Sequence, residues 1–280
     1  MADALFERDT KDPTLFHPTE LTRGPWSPDA QHGGPPASLL SALLEAHDSD
    51  ETPRLDAHEN AQPMFVARLT VELLRPVPLT ALKVVVRNER RGRKVQLVTA
   101  TMVAGDKEVA RATALRIRRK DLPVPGSSRP ALTAPPPPDD GSNSAPPWVT
   151  ANAQIGFHNS AVDHRFVRGS FAEPGPATDW IRLRTDLIAG EATPDVARVP
   201  AAADFGNGVS WTLSRSDDWM FINPDLTIYL HRYPTTPWVC LESETWPQSN
   251  GIGLAESRLW DERGVIGRSL QSLLLDRIPG

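Results

Sequence analysis

The stretch RLTVELLRP, residues 68–76, returns 157 residues later as DLTIYLHRY, residues 225–233. Both segments carry leucine, threonine, leucine and arginine at matching positions, and a valine in the first becomes an isoleucine in the second. Apolar and polar residues alternate in both, which is typical of a β-strand with one buried face. The chain therefore contains two versions of one strand.

Two further matches fall at or near the same offset. EVARATAL, residues 108–115, lies over VIGRSLQS, residues 265–272, with arginine on arginine. The pair Pro35 and Pro36, which suits a first helical turn, lies near a Thr-Pro pair at residues 193–194. Three features at one register indicate that a domain has been duplicated within the chain.

Each half is predicted to contain one early helix followed by several strands. The strands are expected near residues 64–75, 81–90, 94–104 and 107–118, and near 157–171, 178–187, 225–232, 237–246, 252–260 and 264–276. Successive strands after one helix favour an antiparallel sheet with a helix against one face, an α+β fold. A proline-rich segment separates the halves, so the predicted domains are 1–120 and 148–280, with a linker at 121–147.

The composition narrows the function classes. A formal net charge of −5 on 280 residues gives no indication of a nucleic-acid or membrane partner. The single cysteine excludes an intrachain disulfide and a cysteine-based metal cluster, and the histidine spacing predicts no metal site. An acidic start and the lack of an 18-residue apolar run argue against a secretory signal and a membrane span. We therefore expect a cytoplasmic protein.

The helix of the first half begins in HGGPPASLLSALLEA, residues 32–46, where leucines at helical spacing predict a buried stripe. The two glycines let the backbone approach another group closely. The N–H groups of such a helix start can bind a phosphate, a carboxylate or a polarised carbonyl oxygen. An ordinary tight turn before a core helix is the alternative interpretation.

These segments resemble the acyl-CoA thioesterases with a double hotdog fold. The HGG helix, LRPVP at 74–78 and GDKEVARATAL at 105–115 are similar to the N-terminal half of that family. NPDLTIYLHR, GIGLAESRLWDERG and GRSLQSLLL, at 223–232, 251–264 and 267–275, are similar to its C-terminal half. The resemblance implies two tandem hotdog units, each a long helix wrapped by an antiparallel sheet. It also implies an acyl-CoA substrate, no cofactor and a homo-dimer or higher homo-oligomer.

The duplication singles out candidate site residues, because a function kept in one half makes the halves differ. Asp225 lies over Arg68, and Gln271 lies over Ala114. Thioester hydrolysis needs an oriented, partly deprotonated water and donors for the developing oxyanion. A carboxylate and an amide can hold such a water together. The resemblance accordingly implies Asp225 as the base and Gln271 as the group that orients the water.

The family also uses a hydroxyl residue, whose position falls in ESETW, residues 242–246. One alignment places Glu244 there and another places Thr245. We favour Thr245 as the catalytic hydroxyl, with Glu244 as a substrate-binding residue. If Glu244 is the true counterpart, the site departs from the hydrolytic pattern.

The helix start completes the implied site. The resemblance directs the N-terminus of the first helix across the interface at the aspartate of the second half. The N–H groups near Gly33 and Gly34 would then polarise the thioester carbonyl, and His32 would line the pocket.

We therefore predict an acyl-CoA thioesterase that hydrolyses its substrate with a carboxylate-activated water. The first alternative is a non-catalytic acyl-CoA-binding or regulatory hotdog protein. The second is a hotdog hydratase or dehydratase, which needs a histidine paired with a carboxylate on a facing helix. The first helix offers only Glu45, near its end, so this alternative is less favoured.

Overall fold

The computed structural model describes residues 3–47, 64–126, 130–144, 154–213 and 218–278. Its first half contributes strands β1 (Ala4–Arg8), β2 (Leu15–Pro18), β3 (Met64–Leu73), β4 (Leu82–Arg90), β5 (Val95–Ala104) and β6 (Lys107–Arg118). Its second half contributes β7 (Val162–Arg168), β8 (Ala177–Leu183), β9 (Asp186–Ile188), β10 (Trp219–Ile222), β11 (Asp225–Leu230), β12 (Trp238–Pro247), β13 (Ile252–Asp261) and β14 (Gly264–Arg277). The α-helices are α1 (Gly34–Ala46), α2 (Asp195–Ala203) and α3 (Gly206–Val209).

The long strands predicted from alternation are confirmed, and the short ones were missed. β3 to β6 and β11 to β14 lie within a few residues of the predicted ranges. β1, β2 and β10 have four or five residues each, too few for a clear alternation. The strand predicted from residue 157 begins at Val162, because Phe157–Ala161 forms a π-helix. The strand predicted over 178–187 divides into β8 and β9.

All the strands join one sheet whose order shows the duplication directly. The order is β7-β8-β12-β13-β14-β11-β3-β6-β5-β4-β2-β1-β9, with β10 paired to β14. Outward from the central β11–β3 pair, the sequence β14, β13, β12 on one side mirrors β6, β5, β4 on the other. At the centre Thr70 is paired with Thr227, and the two hydroxyl oxygens are 3.3 Å apart. These residues are equivalent under the 157-residue offset, so a local two-fold axis passes between them.

The first helix forms as the sequence predicts. α1 follows an N-cap at Gly33, has prolines in its first turn and buries Leu39, Leu40 and Leu44 completely. Its last turn is closed by Arg116 of β6, whose guanidinium donates to the carbonyl oxygen of Leu44 at 3.3 Å and to that of His47 at 2.6 Å. A buried cation at a helix C-terminus supplies donors that the last carbonyls lack.

The helix of the second half is shorter and bent. α2 contains Pro200, and after Ala203 the chain turns through Asp204 and Phe205 into α3. α2 packs antiparallel to α1, because Asp204 lies at the N-terminus of α1 while Glu45 and Asp195 line one cavity at the opposite end. Both helices cover the inner face of the sheet, where the main core lies.

The proline-rich segment packs against the second half where the structure describes it. The carbonyl oxygen of Pro136 accepts a hydrogen bond from the Trp180 indole at 2.8 Å, and Ser142 pairs with Phe166. Residues 127–129 and 145–147 of the predicted linker lie outside the described residues. The domain boundaries at 120 and 148 stay a prediction. Within the described ranges, no helix is long and apolar enough to cross a membrane.

Candidate functional site

A buried carboxylate at the bend between α2 and α3 is the centre of the site. The side chain of Asp204 is 5% exposed. Its Oδ1 accepts a hydrogen bond from the Asn223 amide at 2.8 Å and lies 3.4 Å from Nε2 of Gln271. Its Oδ2 lies 2.8 Å from Nδ1 of His32, which comes from the first half of the chain. Buried carboxylates need such partners, and these four side chains form one polar cluster.

Gly33 is required by the close approach of this carboxylate. A Cβ at Gly33 would lie 2.8 and 2.9 Å from the two oxygens of Asp204. The N-terminus of α1 therefore meets a carboxylate of the second half, as the sequence predicted, but that carboxylate is Asp204 and not Asp225. Because Pro35 and Pro36 have no N–H, the donors at this helix start come from the glycines.

Gln271 is held in one orientation by the backbone around it. Its Oε1 accepts from the backbone N–H of Asn207 at 3.1 Å, and its Nε2 donates to the carbonyl oxygen of Asp204 at 3.3 Å. The side chain is buried, and a Cβ at Gly206 would lie 3.0 Å from Oε1. The amide of Gln271 is thus pinned beside the Asp204 carboxylate.

Nδ1 of His32 has two possible hydrogen-bond partners, and whether it carries a proton decides which of them it binds. Nδ1 lies 3.1 Å from the backbone N–H of Gly34 and 2.8 Å from Oδ2 of Asp204. A protonated Nδ1 donates to Asp204, whereas an unprotonated Nδ1 accepts from Gly34. The ring makes tilted contacts with Phe157 and Phe205, at centroid distances of 5.1 and 4.6 Å, and those two rings stack on each other at 5.7 Å. His32 is therefore fixed in the site rather than lining an open pocket.

The structure does not bring Asp225 to Gln271, which corrects the predicted base. Asp225 lies on the outer face of the sheet with Thr227 and the exposed Tyr229, and its Oδ1 accepts from the backbone N–H of Ser272 at 2.8 Å. Gln271 lies on the inner face with Leu273, as the alternation predicted. Two side chains on opposite faces of a sheet cannot hold the same water.

Thr245 and Glu244 are separated in the same way. Thr245, Ala255 and Gln271 form one row across β12, β13 and β14 on the inner face, whereas Glu244 is paired with Glu256 on the outer face. Glu244 therefore lies away from the site, and its predicted role as a substrate-binding residue there is corrected. Two strand spacings, about 9–10 Å, separate Thr245 from Gln271. The Thr245 hydroxyl is 2.8 Å from that of Ser210. The side chains that contact the Asp204 carboxylate, Asn223, Gln271 and His32, carry no hydroxyl group.

Two residues of the site, Asp204 and Asn223, were missed from the sequence. Asp204 could have been found by the comparison of the two halves that singled out Gln271. The 157-residue offset lays Asp204 over His47, so the halves differ at this position. The comparison of the halves covered the strands and not the ends of the helices. Asn223 lies before β11, outside the alternating pattern of the strand. The offset lays it over Val66, so a polar residue in the second half again corresponds to an apolar residue in the first.

A second buried pair supports the bend that carries Asp204. Nδ1 of His164 lies 2.6 Å from Oδ2 of Asp179, and both side chains are buried. Burial raises the pKa of Asp179. The His164 ring meets Phe205 edge-on at 4.9 Å, directly after Asp204 in sequence.

Buried apolar side chains lie beside Gln271 on the inner face of the sheet. Ala255, Leu273 and Leu275 form an apolar wall on the same face as Gln271, and Leu213 and Phe221 pack on it. A separate cavity of about 410 Å³ lies between residues 23–28 and residues 154–158.

The sequence matches two family models that together span most of the chain. The acyl-CoA thioesterase N-terminal domain matches residues 22–117, and the acyl-CoA thioesterase C-terminal domain matches residues 129–275. None of the curated proteins matches the sequence significantly.

Solved structures share the fold along the whole chain. A protein described as a candidate thioesterase II from Thermobifida fusca superposes with a TM-score of 0.70 at 20% identity, covering 98% of this chain and 96% of the other. A protein with a hot dog fold from Alicyclobacillus acidocaldarius gives 0.66 at 18% identity, covering 96% of each chain. The acyl-CoA thioesterase II TesB2 from Mycobacterium marinum gives 0.63 at 15% identity, covering 96% and 95%. With both domain models matched in order, the chain belongs to the acyl-CoA thioesterase family.

Proposed function

We propose that the protein hydrolyses an acyl-CoA to a free acid and CoA, with Asp204 as the general base. The observation that carries the proposal is the position of the Asp204 carboxylate. It is buried, hydrogen-bonded by Asn223 and placed against the N-terminus of α1. A carboxylate beside backbone donors supplies the two functions that thioester hydrolysis requires, a proton acceptor and an oxyanion site.

The reaction follows from these groups. Asp204 takes a proton from a water as the water oxygen attacks the thioester carbonyl carbon, and the carbonyl oxygen becomes an oxyanion. The N–H of Gly34 leaves Nδ1 of His32 and donates to that oxyanion. The carbon–sulfur bond then breaks, the acid is released, and the proton on Asp204 passes to the thiolate of CoA. Asn223 and Gln271 hold the carboxylate and the water in line throughout.

The acyl group is proposed to lie along the apolar wall next to Gln271. Ala255, Leu273 and Leu275 continue the inner face of the sheet away from the carboxylate, with Phe221 closing one side. The ring of Trp26 meets Phe221 edge-on at 5.9 Å. Apolar side chains next to the reacting carbon favour a fatty or aromatic acyl chain over a charged one, and Leu213 and Phe221 must move for that chain to reach them.

The test is release of free thiol from acyl-CoAs of increasing chain length by the wild type and by Asp204→Asn. The substitution retains the size of the side chain and removes the proton acceptor. We expect the rate to fall by about 10²–10⁴-fold, the usual contribution of a general base.

Asp225→Asn is the matched control, because it changes an aspartate of the same half on the outer face of the sheet. We expect this variant to retain the wild-type rate. A rate that falls in Asp225→Asn and not in Asp204→Asn would restore the base inferred from the sequence. Saturable acyl-CoA binding with no thiol release from the wild type would favour the non-catalytic binding protein.

One observation favours the hydratase or dehydratase as a second candidate. The sequence offered only Glu45, near the end of the first helix, as the carboxylate partner of a catalytic histidine, whereas His32 and Asp204 form a histidine–carboxylate pair at 2.8 Å. Loss of enoyl-CoA absorbance without thiol release would identify hydration. Thiol release without that absorbance change would exclude it for the substrates tested.

The predicted assembly, a homo-dimer or higher homo-oligomer, and the cytoplasmic location remain proposals. The outer face of the sheet exposes Trp246, Ile252, Leu254 and Leu274, and an exposed apolar patch of this kind often marks an interface. Sedimentation of the purified chain measures the assembly.

A further inference from the structure

A buried histidine–aspartate pair lies at one edge of the sheet, next to the turn that carries Asp204. A hydrogen bond of 2.6 Å joins Nδ1 of His164, on β7, to Oδ2 of Asp179, on β8. Oδ1 of Asp179 accepts a second hydrogen bond from the backbone N–H of Arg165 at 3.0 Å. The two side chains are 5% and 0% exposed. Because both of its oxygens are engaged, the carboxylate holds the His164 ring in one orientation.

The fold does not require an ionisable pair at this edge of the sheet. In the strand order, β7 and β8 occupy the places in the second half that β1 and β2 occupy in the first. The buried residues of β1 and β2 are all apolar, namely Ala4, Leu5, Phe6 and Phe16. Two ionisable side chains are costly to bury, and apolar residues of similar size often give equal or greater stability. Stability alone therefore does not account for the pair.

The ring of Phe205 connects the pair to the candidate site. The His164 and Phe205 rings meet edge-on, with their centroids 4.9 Å apart. Phe205 is 4% exposed, and its ring also contacts His32 at 4.6 Å and Phe157 at 5.7 Å. One buried ring thus contacts both the histidine of the pair and the histidine that lies against Asp204.

The backbone links Phe205 to the carboxylate of Asp204. The two residues are consecutive in the turn between α2 and α3, and both have helical backbone angles. Their N–H groups donate to the carbonyl oxygens of Pro200 and Ala202, at 3.2 and 3.0 Å. Because this turn is hydrogen-bonded, a displacement of the Phe205 ring also displaces Asp204. Its oxygens have little room, since a Cβ at Gly33 would lie 2.8 and 2.9 Å from them.

We propose that His164 and Asp179 are positioning residues for the reaction, which hold Asp204 in its catalytic position through the Phe205 ring and do not contact the substrate. The inference rests on the proposed function, because it takes Asp204 as the general base. Asp179 fixes the orientation of the His164 ring, and that ring fixes Phe205. Phe205 in turn fixes the turn from which Asp204 reaches Gly33. The pair therefore affects the chemical step and not the affinity for the substrate.

The test is steady-state release of free thiol by Asp179→Asn, with kcat and KM measured separately. The substitution retains the size of the side chain, but one amide oxygen cannot accept from both His164 and Arg165, so the ring loses its fixed orientation. A displacement of about 1 Å at a catalytic group can lower a rate by about 100-fold. We expect kcat to fall by about tenfold or more and KM to stay within about threefold of the wild type.

His164→Asn gives a second variant that leaves no buried carboxylate unpaired. Its side-chain amide keeps a hydrogen-bond donor for Asp179 and removes the ring that contacts Phe205. If the ring contact positions the turn, His164→Asn lowers kcat and leaves KM unchanged, as Asp179→Asn does.

Asp163→Asn is the matched control. Asp163 precedes His164 on β7 and is ion-paired with Arg182 of β8 at 2.6 Å, on the other face of the strands. The substitution therefore breaks a pair between the same two strands without a change at Phe205. Because this ion pair is partly exposed, we expect kcat to stay within about twofold of the wild type.

The connection through Phe205 is tested by Asp179→Asn in a Phe205→Leu background. Phe205→Leu alone should lower kcat, because it removes the ring that the pair holds. Adding Asp179→Asn should then lower kcat by less than about twofold more, since residues that act through one contact do not give independent losses. Losses that multiply would show that Asp179 and Phe205 act independently, and they would overturn the inference.

The outcomes separate this inference from the proposed function. If the wild type releases thiol and both Asp179→Asn and His164→Asn retain kcat, the positioning role is overturned and the hydrolase remains. An equal loss of kcat in Asp163→Asn, or a change in KM alone, also overturns the positioning role.

A wild type that releases no thiol overturns the hydrolase, and the NMR signal of the His32 ring then tests the pair separately. A shift of that signal in Asp179→Asn and not in Asp163→Asn supports a pair that holds the site through Phe205. A His32 signal that is unchanged in Asp179→Asn overturns it.

Discussion

The Asp204 end of the helix pair, with Asp204, Asn223 and Gln271, and the His47 end, with the residues His47, Val66 and Ala114 that the 157-residue offset makes equivalent, are built from equivalent strands. The two ends differ in how the central helix stops. α1 runs for 13 residues and ends against Arg116, which closes its last carbonyls. α2 has nine residues, contains Pro200 and continues through a bend into α3. The position of Arg116 is taken by Leu273 in the second half.

This difference indicates that the position of the Asp204 carboxylate depends on the helix terminus more than on the sheet. In the first half Arg116 binds the last carbonyls of α1, and His47, directly after the helix, lies against Asn88 of β4. In the second half a leucine occupies the position of that arginine, and the turn after α2 brings the Asp204 carboxylate to the N-terminus of α1. Two glycines, Gly33 and Gly206, then leave the space that the carboxylate and the Gln271 amide occupy.

The largest effect should come from filling the space between Gly33 and Asp204. A methyl group in Gly33→Ala would lie 2.8 Å from Oδ2 of Asp204 and must displace the carboxylate. Because displacement by about 1 Å can lower a rate by about 100-fold, we expect at least that loss of thiol release. Steady-state kinetics with one acyl-CoA measure it.

Gly208→Ala is the control for this substitution. Gly208 lies in α3, and a Cβ there would meet nothing within 4 Å of the described atoms. We expect Gly208→Ala to retain activity within about twofold. Equal losses in the two variants would show that the helices at this end tolerate no added methyl, and that the contact with Asp204 is not the cause.

Arg116→Leu should show what the cap contributes at the His47 end. The variant gives the first half the leucine of the second half and leaves the carbonyl oxygens of Leu44 and His47 without their guanidinium donor. Loss of buried hydrogen bonds to a charged group costs about 2–3 kcal/mol, so the urea midpoint should fall clearly. Thiol release at the Asp204 end should not change.

Arg111→Leu, on the same strand, is the comparison for Arg116→Leu. Arg111 is exposed, with its ion pair to Glu108 at the surface, and such substitutions change stability by about 0.5 kcal/mol or less. If the two variants lose the same stability, the cap is not what distinguishes the His47 end.

The sequence was sufficient for the duplication, the long strands, the first helix and the inward face of Gln271. Those features rest on alternation, helical spacing and proline at a helix start, which act within a few residues. The two glycines before the first helix implied a close contact, and the family resemblance implied that a carboxylate of the second half would make it.

The identity of that carboxylate required the fold. Asp225 and Asp204 are both aspartates at the boundary of an element, and the choice between them depends on the face of the sheet and on the turn after α2. Neither property is local: the face of Asp225 is set by pairing with β3 and β14, and Asp204 reaches Gly33 only because α2 packs against α1. Glu244 and Thr245 show the same limit, since one residue of register decides which of them faces inward.

His158 should make the stability of the Asp204 end depend on pH. Burial, with added repulsion from His32 and His164, lowers the pKa of His158 to about 4. An unfolded histidine titrates near 6.5, so the unfolded chain binds more protons between these values. The stability that neutral His158 contributes is present above pH 6.5 and is lost as the pH falls to about 4.

His158→Gln should reduce this pH dependence. Allowing for the partial exposure of the ring, we expect the wild type to lose about 1–2 kcal/mol more than the variant between pH 7 and pH 4.5. Chemical denaturation at several pH values measures the difference. If the free energy of unfolding depends on pH in the same way in the two proteins, the pKa of His158 is not lowered by folding.

Substitutions of the two threonines at the local two-fold axis should have the smallest effect on stability. Thr70 and Thr227 face each other on β3 and β11, and their hydroxyl oxygens are 3.3 Å apart. Both side chains are partly exposed, so each hydroxyl can turn to water when the other is replaced. Valine has nearly the same shape and suits a strand, and we expect Thr70→Val and Thr227→Val each to change the free energy of unfolding by less than about 0.5 kcal/mol.

The equality of these two changes matters more than their size. Residues on a two-fold axis have the same surroundings from either side, so the two variants should give the same urea midpoint. The halves differ at the ends of their helices, where Arg116 binds the last carbonyls of α1 and Leu273 occupies the equivalent position beside α2. A midpoint that falls for one threonine alone would show that the asymmetry extends to the centre of the sheet, and the helix terminus would then no longer explain it by itself.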